Sequence, residues 1–221
     1  MIDRRRTLAL LAGGTALAGG YVLLGRQSGA PAVDYGFPVG AANAQTVEIE
    51  DITLGDESAP VKMIEYASFT CPHCAAFHAD TFKDFKAEYI DTGRVHFTYR
   101  EVFFDRYGLW AAMIARCAGA DRYMGVADLI YQTQNDWARQ GDPALVAESL
   151  KRVGAQAGLT QAELDSCLQD ADLAQSLVAW YEENAARDGV RSTPSFLING
   201  EIHAGNMSLA QIGQLVDDAA S

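Results

Sequence analysis

YASFTCPHCAAFHADTF, residues 66–82, places two cysteines around a single proline and a single histidine. A Cys-x-x-Cys pair of this kind can hold zinc, cross-link a small fold, or carry electrons as a reversible disulfide. The flanking sequence decides among these. Upstream, VKMIEYASF begins at Val61 just after Pro60, and its β-branched and aromatic run reads as a buried strand leading into the motif. Downstream, Pro72 to Tyr89 is helical in pattern, with Phe82, Phe85 and Tyr89 spaced to share a face. Gly93 ends that element, and VHFTYREVFF supplies a second strand from Val95. Strand, helix, strand is a βαβ beginning, and its crossover makes a parallel pair.

The following 80 or so residues are helical in pattern. Leu109, Met113, Ile114 and Cys117 keep helical spacing, Asp142-Pro143 reads as an N-cap with proline at the first helical position, and Thr160 with Glu163 as a capping box ahead of Leu164, Cys167 and Leu168. A further helix carries Leu173, Leu177, Val178 and Tyr181 and ends near Asp188-Gly189. Strand character returns in STPSFLINGEIHAG, where Asn199-Gly200 is a two-residue hairpin turn. A last amphipathic helix starts at Ser208 with Leu209, Ile212 and Leu215. The order βαβ, helical block, ββα predicts an α/β chain: a thioredoxin-like fold with an α-helical domain inserted in the middle of the core. Its expected parts are 45–104 for the first half of the core, 105–188 for the insertion and 189–221 for the second half.

Residues 1–44 are set apart as an export signal or membrane anchor plus linker. MIDRRRTLALLAGGTALAGGYVLLG has three arginines and then an apolar stretch from Leu8 to Leu24, interrupted by four glycines and at the lower limit for a span. Ala42 and Ala44 form an A-x-A arrangement with cleavage expected before Gln45; an uncleaved N-terminal membrane anchor is the alternative. Export implies an oxidising compartment, and there are four cysteines: Cys71, Cys74, Cys117 and Cys167. The net charge of −12 disfavours nucleic acid as a partner, since phosphate binding depends on clustered Lys and Arg.

Between strand and helix, Cys71 falls at a helix N-terminus, where free backbone N–H groups and the dipole favour a thiolate. Pro72 fits the first turn because its missing N–H costs nothing there. His73, when protonated, adds positive charge beside the sulfur. A stabilised thiolate favours the reduced form and makes the disulfide an oxidant. Cys71 is expected to be the exposed, exchanging sulfur and Cys74, one turn inside the helix, the buried partner. No metal is expected: there is no second Cys-x-x-Cys, and His78 offers a third zinc ligand but nothing a fourth.

EYASFTCPHC (Glu65 to Cys74) and RSTPSFLING (Arg191 to Gly200) closely resemble the two signatures of the DsbA-type thiol:disulfide oxidoreductases, and the resemblance runs from about Asp51 to the C-terminus. It implies a protein that donates its disulfide to cysteine-containing exported proteins and is re-oxidised by a membrane quinone-linked protein, with no cofactor of its own. It also implies that Pro194 is a cis-proline facing the redox pair, that Thr193 offers backbone groups to a bound peptide, and that Glu65 helps move protons around the buried cysteine. Thr193 stands where the best-known members have valine, which leaves room for the isomerase or reductase activity of related proteins. A peptide-binding chaperone with a vestigial redox pair is the reading from another class. A monomer is expected, because no dimerisation domain of the kind isomerase relatives carry is visible.

Cys117 and Cys167 both fall on apolar helix faces of the insertion, and the oxidising compartment favours a structural disulfide between them over two buried thiols. His78, His96 and His203 show no partner pattern and read as surface or rim residues; Trp110, Trp137 and Trp180 read as helical-domain core.

Overall fold

The computed structural model describes residues 34–35 and 45–221. The signal or anchor reading therefore lies outside the described residues, apart from Asp34 and Tyr35. These two dock on the fold: Asp34 pairs with Arg106 at 2.6 Å, and the Tyr35 hydroxyl donates to the carbonyl of Phe103 at 3.1 Å. Among the described residues no helix is long and apolar enough to cross a membrane.

Five strands form one mixed sheet in the order β1-β3-β2-β4-β5. They are β1 (Ile52–Leu54), β2 (Val61–Ala67), β3 (Val95–Glu101), β4 (Ser195–Ile198) and β5 (Glu201–Ala204). The central strand β2 runs parallel to β3, with Val61 opposite Val95, and antiparallel to β4, with Glu65 opposite Phe196. A strand flanked on both edges and covered on both faces must be apolar almost throughout. Val61, Met63, Tyr66 and Ala67 are accordingly fully buried, and so is Glu65, which makes that carboxylate conspicuous. The edge strand β1 was not legible: Ile52 to Leu54 is too short to show an alternation, and pairing with β3 creates it. Gly55, which follows it at φ +87, is fixed by a close approach, because a Cβ there would lie 2.6 Å from the carbonyl oxygen of Val95.

The helical run after the motif continues to Ile90 but is not regular. It consists of α1 (Pro72–Phe77), a π turn over His78–Phe82, α2 (Lys83–Phe85) and a second π turn over Lys86–Ile90. The five-residue step between buried Phe85 and Ile90 is the spacing a π turn accommodates. The insertion contains α3 (Arg106–Cys117), α4 (Ala120–Gln132), α5 (Gln134–Trp137), α6 (Pro143–Gln156), α7 (Gln161–Gln169) and α8 (Ala171–Arg187); α9 (Leu209–Ala219) closes the chain against β4 and α2. Side-chain caps start these helices where Asp and Thr stand. Asp105 accepts from the N–H groups of Tyr107 and Gly108, Asp142 caps ahead of Pro143, and Thr160 with Glu163 forms the capping box. Between β4 and β5, Asn199 at φ 45 and Gly200 at φ 91 make the tight turn that their identities call for.

Helix α3 is the spine of the insertion: Leu109 and Ala111 to Ala115 are all fully buried against α4, α6, α7 and α8. Two arginines fasten the sheet to this block. Arg116 meets Glu101 at 2.6 and 2.7 Å, and Arg100 meets Asp51 and Asp188, the latter following α8. The ring of Trp180 lies 5.5 Å from the Arg100 guanidinium and 5.6 Å from that of Arg116, so this tryptophan serves an electrostatic seam, not an apolar core. Trp137, by contrast, is 1% exposed core.

Cys117 at the end of α3 is bonded to Cys167 of α7, with Cα atoms 6.3 Å apart. Their separation of 50 residues makes the loop costly to close in an unfolded chain. Replacing both with alanine is expected to lower unfolding free energy by about 4 kcal/mol in the chain-entropy model. Denaturant titration with and without reductant checks this: the variant should be less stable than the oxidised native chain and lose nothing further on reduction at this pair.

Candidate active site

Strand β2 ends at Ala67, and its carbonyl accepts from the N–H of Val102 at 2.8 Å. The chain then turns through Ser68–Cys71, closed by the Cys71 N–H donating to the Ser68 carbonyl at 3.0 Å. Cys71 thereby becomes the N-cap of α1 in extended conformation (φ −82, ψ 119), with Pro72 as the first helical residue. Two side chains from the insertion hold this turn. Asp105 accepts from the Thr70 hydroxyl at 2.7 Å, and the buried amide of Gln134 donates to the carbonyls of Phe69 and Cys71 at 2.8 and 3.0 Å. Nothing in the sequence pointed to Gln134, since its role depends on where α5 lands.

The Thr193–Pro194 peptide bond is cis. Buried Pro194 and its neighbours bring the Thr193 carbonyl oxygen within 3.4 Å of the Cys71 sulfur, across a separation of 122 residues. Cys71 and Cys74 are both free thiols in this structure. Cys71 is 8% exposed, less open than its expected role suggested, because the Thr193–Pro194 loop and the turn cover it. Cys74 is 0% exposed.

The two sulfurs have opposite acidities. The Cys71 thiol is lowered from 9.0 to about 5. The hydrogen bond from the Cys74 thiol is the largest cause; it outweighs the opposing effect of burial, with Thr193 and the backbone N–H groups of Cys74 and His73 adding to it. Burial, together with the neighbouring Cys71 and Glu65, pushes Cys74 far above the ordinary thiol range. His73 contributes through its backbone N–H, while its side chain is exposed.

Glu65 is fully buried, and its two carboxylate oxygens lie 3.2 and 3.1 Å from Nε2 of His78. His78 is thus not a surface or rim residue. It is 6% exposed, stacked on Tyr131 with ring centroids 4.5 Å apart, and the Tyr131 hydroxyl meets that of Tyr99 at 2.7 Å. A signal for this was present: His78 is four residues after Cys74, hence on the same helix face as the buried cysteine. Of the other histidines, His96 is half-buried with Nε2 covered, and His203 is partly exposed at 3.9 Å from Glu201. Among the described residues no group of three or more His, Cys, Asp or Glu is placed to hold a metal ion.

A Cys-x-x-Cys cysteine at a helix N-terminus, a cis-proline loop against it and a mixed sheet behind it agree with a comparison by family model, in which the model described as thioredoxin matches residues 47–218. The chain belongs to the thioredoxin family. Its likeness within that family is to DsbA-type proteins. The crystal structure of α-DsbA1 from Wolbachia pipientis superposes with a TM-score of 0.70 at 29% identity, covering 79% of this chain and 93% of that one. A Rickettsia felis protein named "Putative protein-disulfide oxidoreductase" is 33% identical over 174 residues, which are 78% of this chain and 61% of the relative. Disulfide bond formation protein D of Bacillus subtilis is 24% identical over 161 residues, 67% of this chain and 68% of that protein. This thioredoxin-family chain therefore spans about three fifths of the length of its Rickettsia felis relative.

Proposed function

We propose that the chain is an exported, periplasmic thiol:disulfide oxidoreductase that introduces disulfide bonds into cysteine-containing exported proteins through Cys71 and Cys74. The observation that carries this reading is the split between the two sulfurs, one lowered to about 5 and the other buried and pushed up. In the oxidised form a client thiolate attacks Sγ of Cys71, the sulfur with residual exposure, and the disulfide electrons pass to Cys74. The mixed disulfide then breaks when a second client thiolate attacks the client sulfur and expels Cys71. A thiol that ionises near pH 5 leaves readily as thiolate at neutral pH and resists re-forming the mixed disulfide, which drives transfer toward the client.

The remaining roles follow from position. Pro72 orients the first turn, the exposed imidazole of His73 faces incoming chains, and Thr193 and Pro194 border the sulfur, where Thr193 offers its backbone to a bound peptide. Glu65 supplies and accepts the proton of Cys74. Re-oxidation falls to a membrane quinone-linked protein, and the chain acts as a monomer. The likeness to DsbA-type proteins and the protein-disulfide oxidoreductase and disulfide-bond-formation names of its relatives support this reading.

Incubating the oxidised chain with a reduced, unfolded secreted protein tests it, alongside the equilibrium potential of Cys71/Cys74 against glutathione. One client disulfide should form per chain, at a potential less negative than about −180 mV. A potential near the roughly −270 mV of reducing thioredoxin would reverse the assigned direction. Client binding that survives loss of both cysteines, without any oxidation, would turn the reading to a chaperone.

A further inference from the structure

Each opening of the Cys71–Cys74 disulfide leaves an electron pair on a sulfur that burial keeps from staying ionised. A proton has to reach Cys74 then, and has to leave when the disulfide closes. Cys74 and Glu65 are both 0% exposed, so neither exchanges protons with solvent directly. Of the three groups only His78 retains any exposure, 3% for its side chain, and its Nε2 bridges both Glu65 oxygens. The rings packed on the imidazole are neutral or apolar. Phe77 and Phe82 flank the imidazole from its own helical run, Tyr99 comes from β3 and Tyr131 from α4. Burial holds both tyrosines well above their ordinary values, so they stay protonated and leave Glu65 and His78 as the acid–base groups beside Cys74. The backbone is also special here, since the first π turn begins at His78 itself.

We propose that His78 is the proton conduit of the buried redox centre, a positioning residue that acts through Glu65 by passing protons between solvent and the pocket of Cys74. The inference rests on the redox reading of the Cys71/Cys74 pair and adds a route that this reading leaves open. When an external thiolate attacks Sγ of Cys71, the S–S bond breaks and its electron pair goes to Cys74. The Glu65 carboxyl gives its proton to that sulfur, Nε2–H of His78 returns one to Glu65, and the imidazole recovers a proton from water. Closing the disulfide runs the same transfers in reverse. A purely structural hydrogen bond to Glu65 would need neither the exposure gradient from Cys74 to His78 nor an ionisable donor.

Stopped-flow reduction of the oxidised full chain by dithiothreitol, from pH 5 to 9 and corrected for ionisation of the reagent, reads this directly. His78→Gln keeps a donor to Glu65 but cannot relay a proton. It should slow reduction roughly 10- to 100-fold, the scale of one positioned acid–base group. It should also remove a bend that the wild-type pH profile carries, while absorbance titration of the Cys71 thiolate stays in place. Glu65→Gln should lose the same bend, and adding H78Q to E65Q should slow the reaction no further. A wild-type rate and profile in H78Q, or losses that multiply in the double variant, would overturn the conduit. So would slowing by an equal factor at every pH together with a moved Cys71 titration, the mark of a merely structural residue. If H78Q does not fold, E65Q decides alone, and retention of the wild-type bend there rejects the relay. Dithiothreitol reacts whichever direction the protein works in vivo. A chain that fails to oxidise clients yet shows the H78Q effect therefore refutes the proposed function and leaves the conduit standing. An active oxidase without the effect does the reverse.

Discussion

Cys71→Ser should reduce client oxidation by more than about 10³-fold, to the background of uncatalysed exchange, because the sulfur that is attacked in the first step and leaves in the second is lost. Cys74→Ser should behave differently. Presented with a client that already carries a disulfide, the Cys71 thiolate attacks one client sulfur and expels the other, and no internal thiol can release the adduct, so a mixed disulfide accumulates and is visible by mass spectrometry as one client per chain. The serine hydroxyl can still donate to the Cys71 sulfur in place of the Cys74 thiol, the largest cause of its low pKa. Cys74→Ala removes that donor. The thiolate absorbance of Cys71 should therefore titrate at higher pH in the alanine variant than in the serine variant. Equal titrations in the two, or a trapped adduct in Cys71→Ser, would contradict the division of roles between the sulfurs.

Stability should separate the two redox forms as pH rises. In the folded reduced chain Cys71 ionises near pH 5, against an ordinary value of 9.0 when unfolded. A lowered pKa contributes stability that is complete above pH 9 and is lost as pH falls through about 5. The oxidised chain has no Cys71 proton to titrate, and groups common to both forms cancel in the difference. Between pH 5 and pH 7 the reduced form should thus gain on the oxidised form. Two units at about 1.4 kcal/mol each give an upper figure of about 3 kcal/mol, and solvent screening of a partly accessible sulfur reduces this to the order of 2 kcal/mol. Urea titrations of both forms at pH 4, 5, 6 and 7 measure it. The same linkage makes the disulfide more oxidising by roughly 40–60 mV at pH 7, using 30 mV per 1.4 kcal/mol for two electrons. Parallel pH dependences for the two forms would remove the thiolate as the source of oxidising power.

Much of this fold was legible because local signals agreed with one another. β2, the motif and the following helix each show their own pattern, and caps at Asp142, Thr160 and Ser208 mark helix starts by side-chain chemistry that acts within three residues. What failed had one common cause. β1 exists through its pairing with β3, Trp180 matters through two arginines 64 and 80 residues away, and Gln134 matters through carbonyls more than 60 residues upstream. None of these leaves a local trace. His78 is the intermediate case: helix periodicity put it on the Cys74 face, but an isolated histidine gives no indication of its partner.

The sequence by itself determined the reactive group: CPHC between a buried strand and a helix brings a cysteine to free N–H groups, and that effect is local. Tertiary structure alone decided how acidic each sulfur is and which groups surround the buried one. Those properties depend on burial, on the Thr193–Pro194 loop reaching Cys71, and on Glu65 meeting His78 beneath Cys74. Desolvation and charge pairing act through space, between residues that only the completed fold brings within a few ångströms.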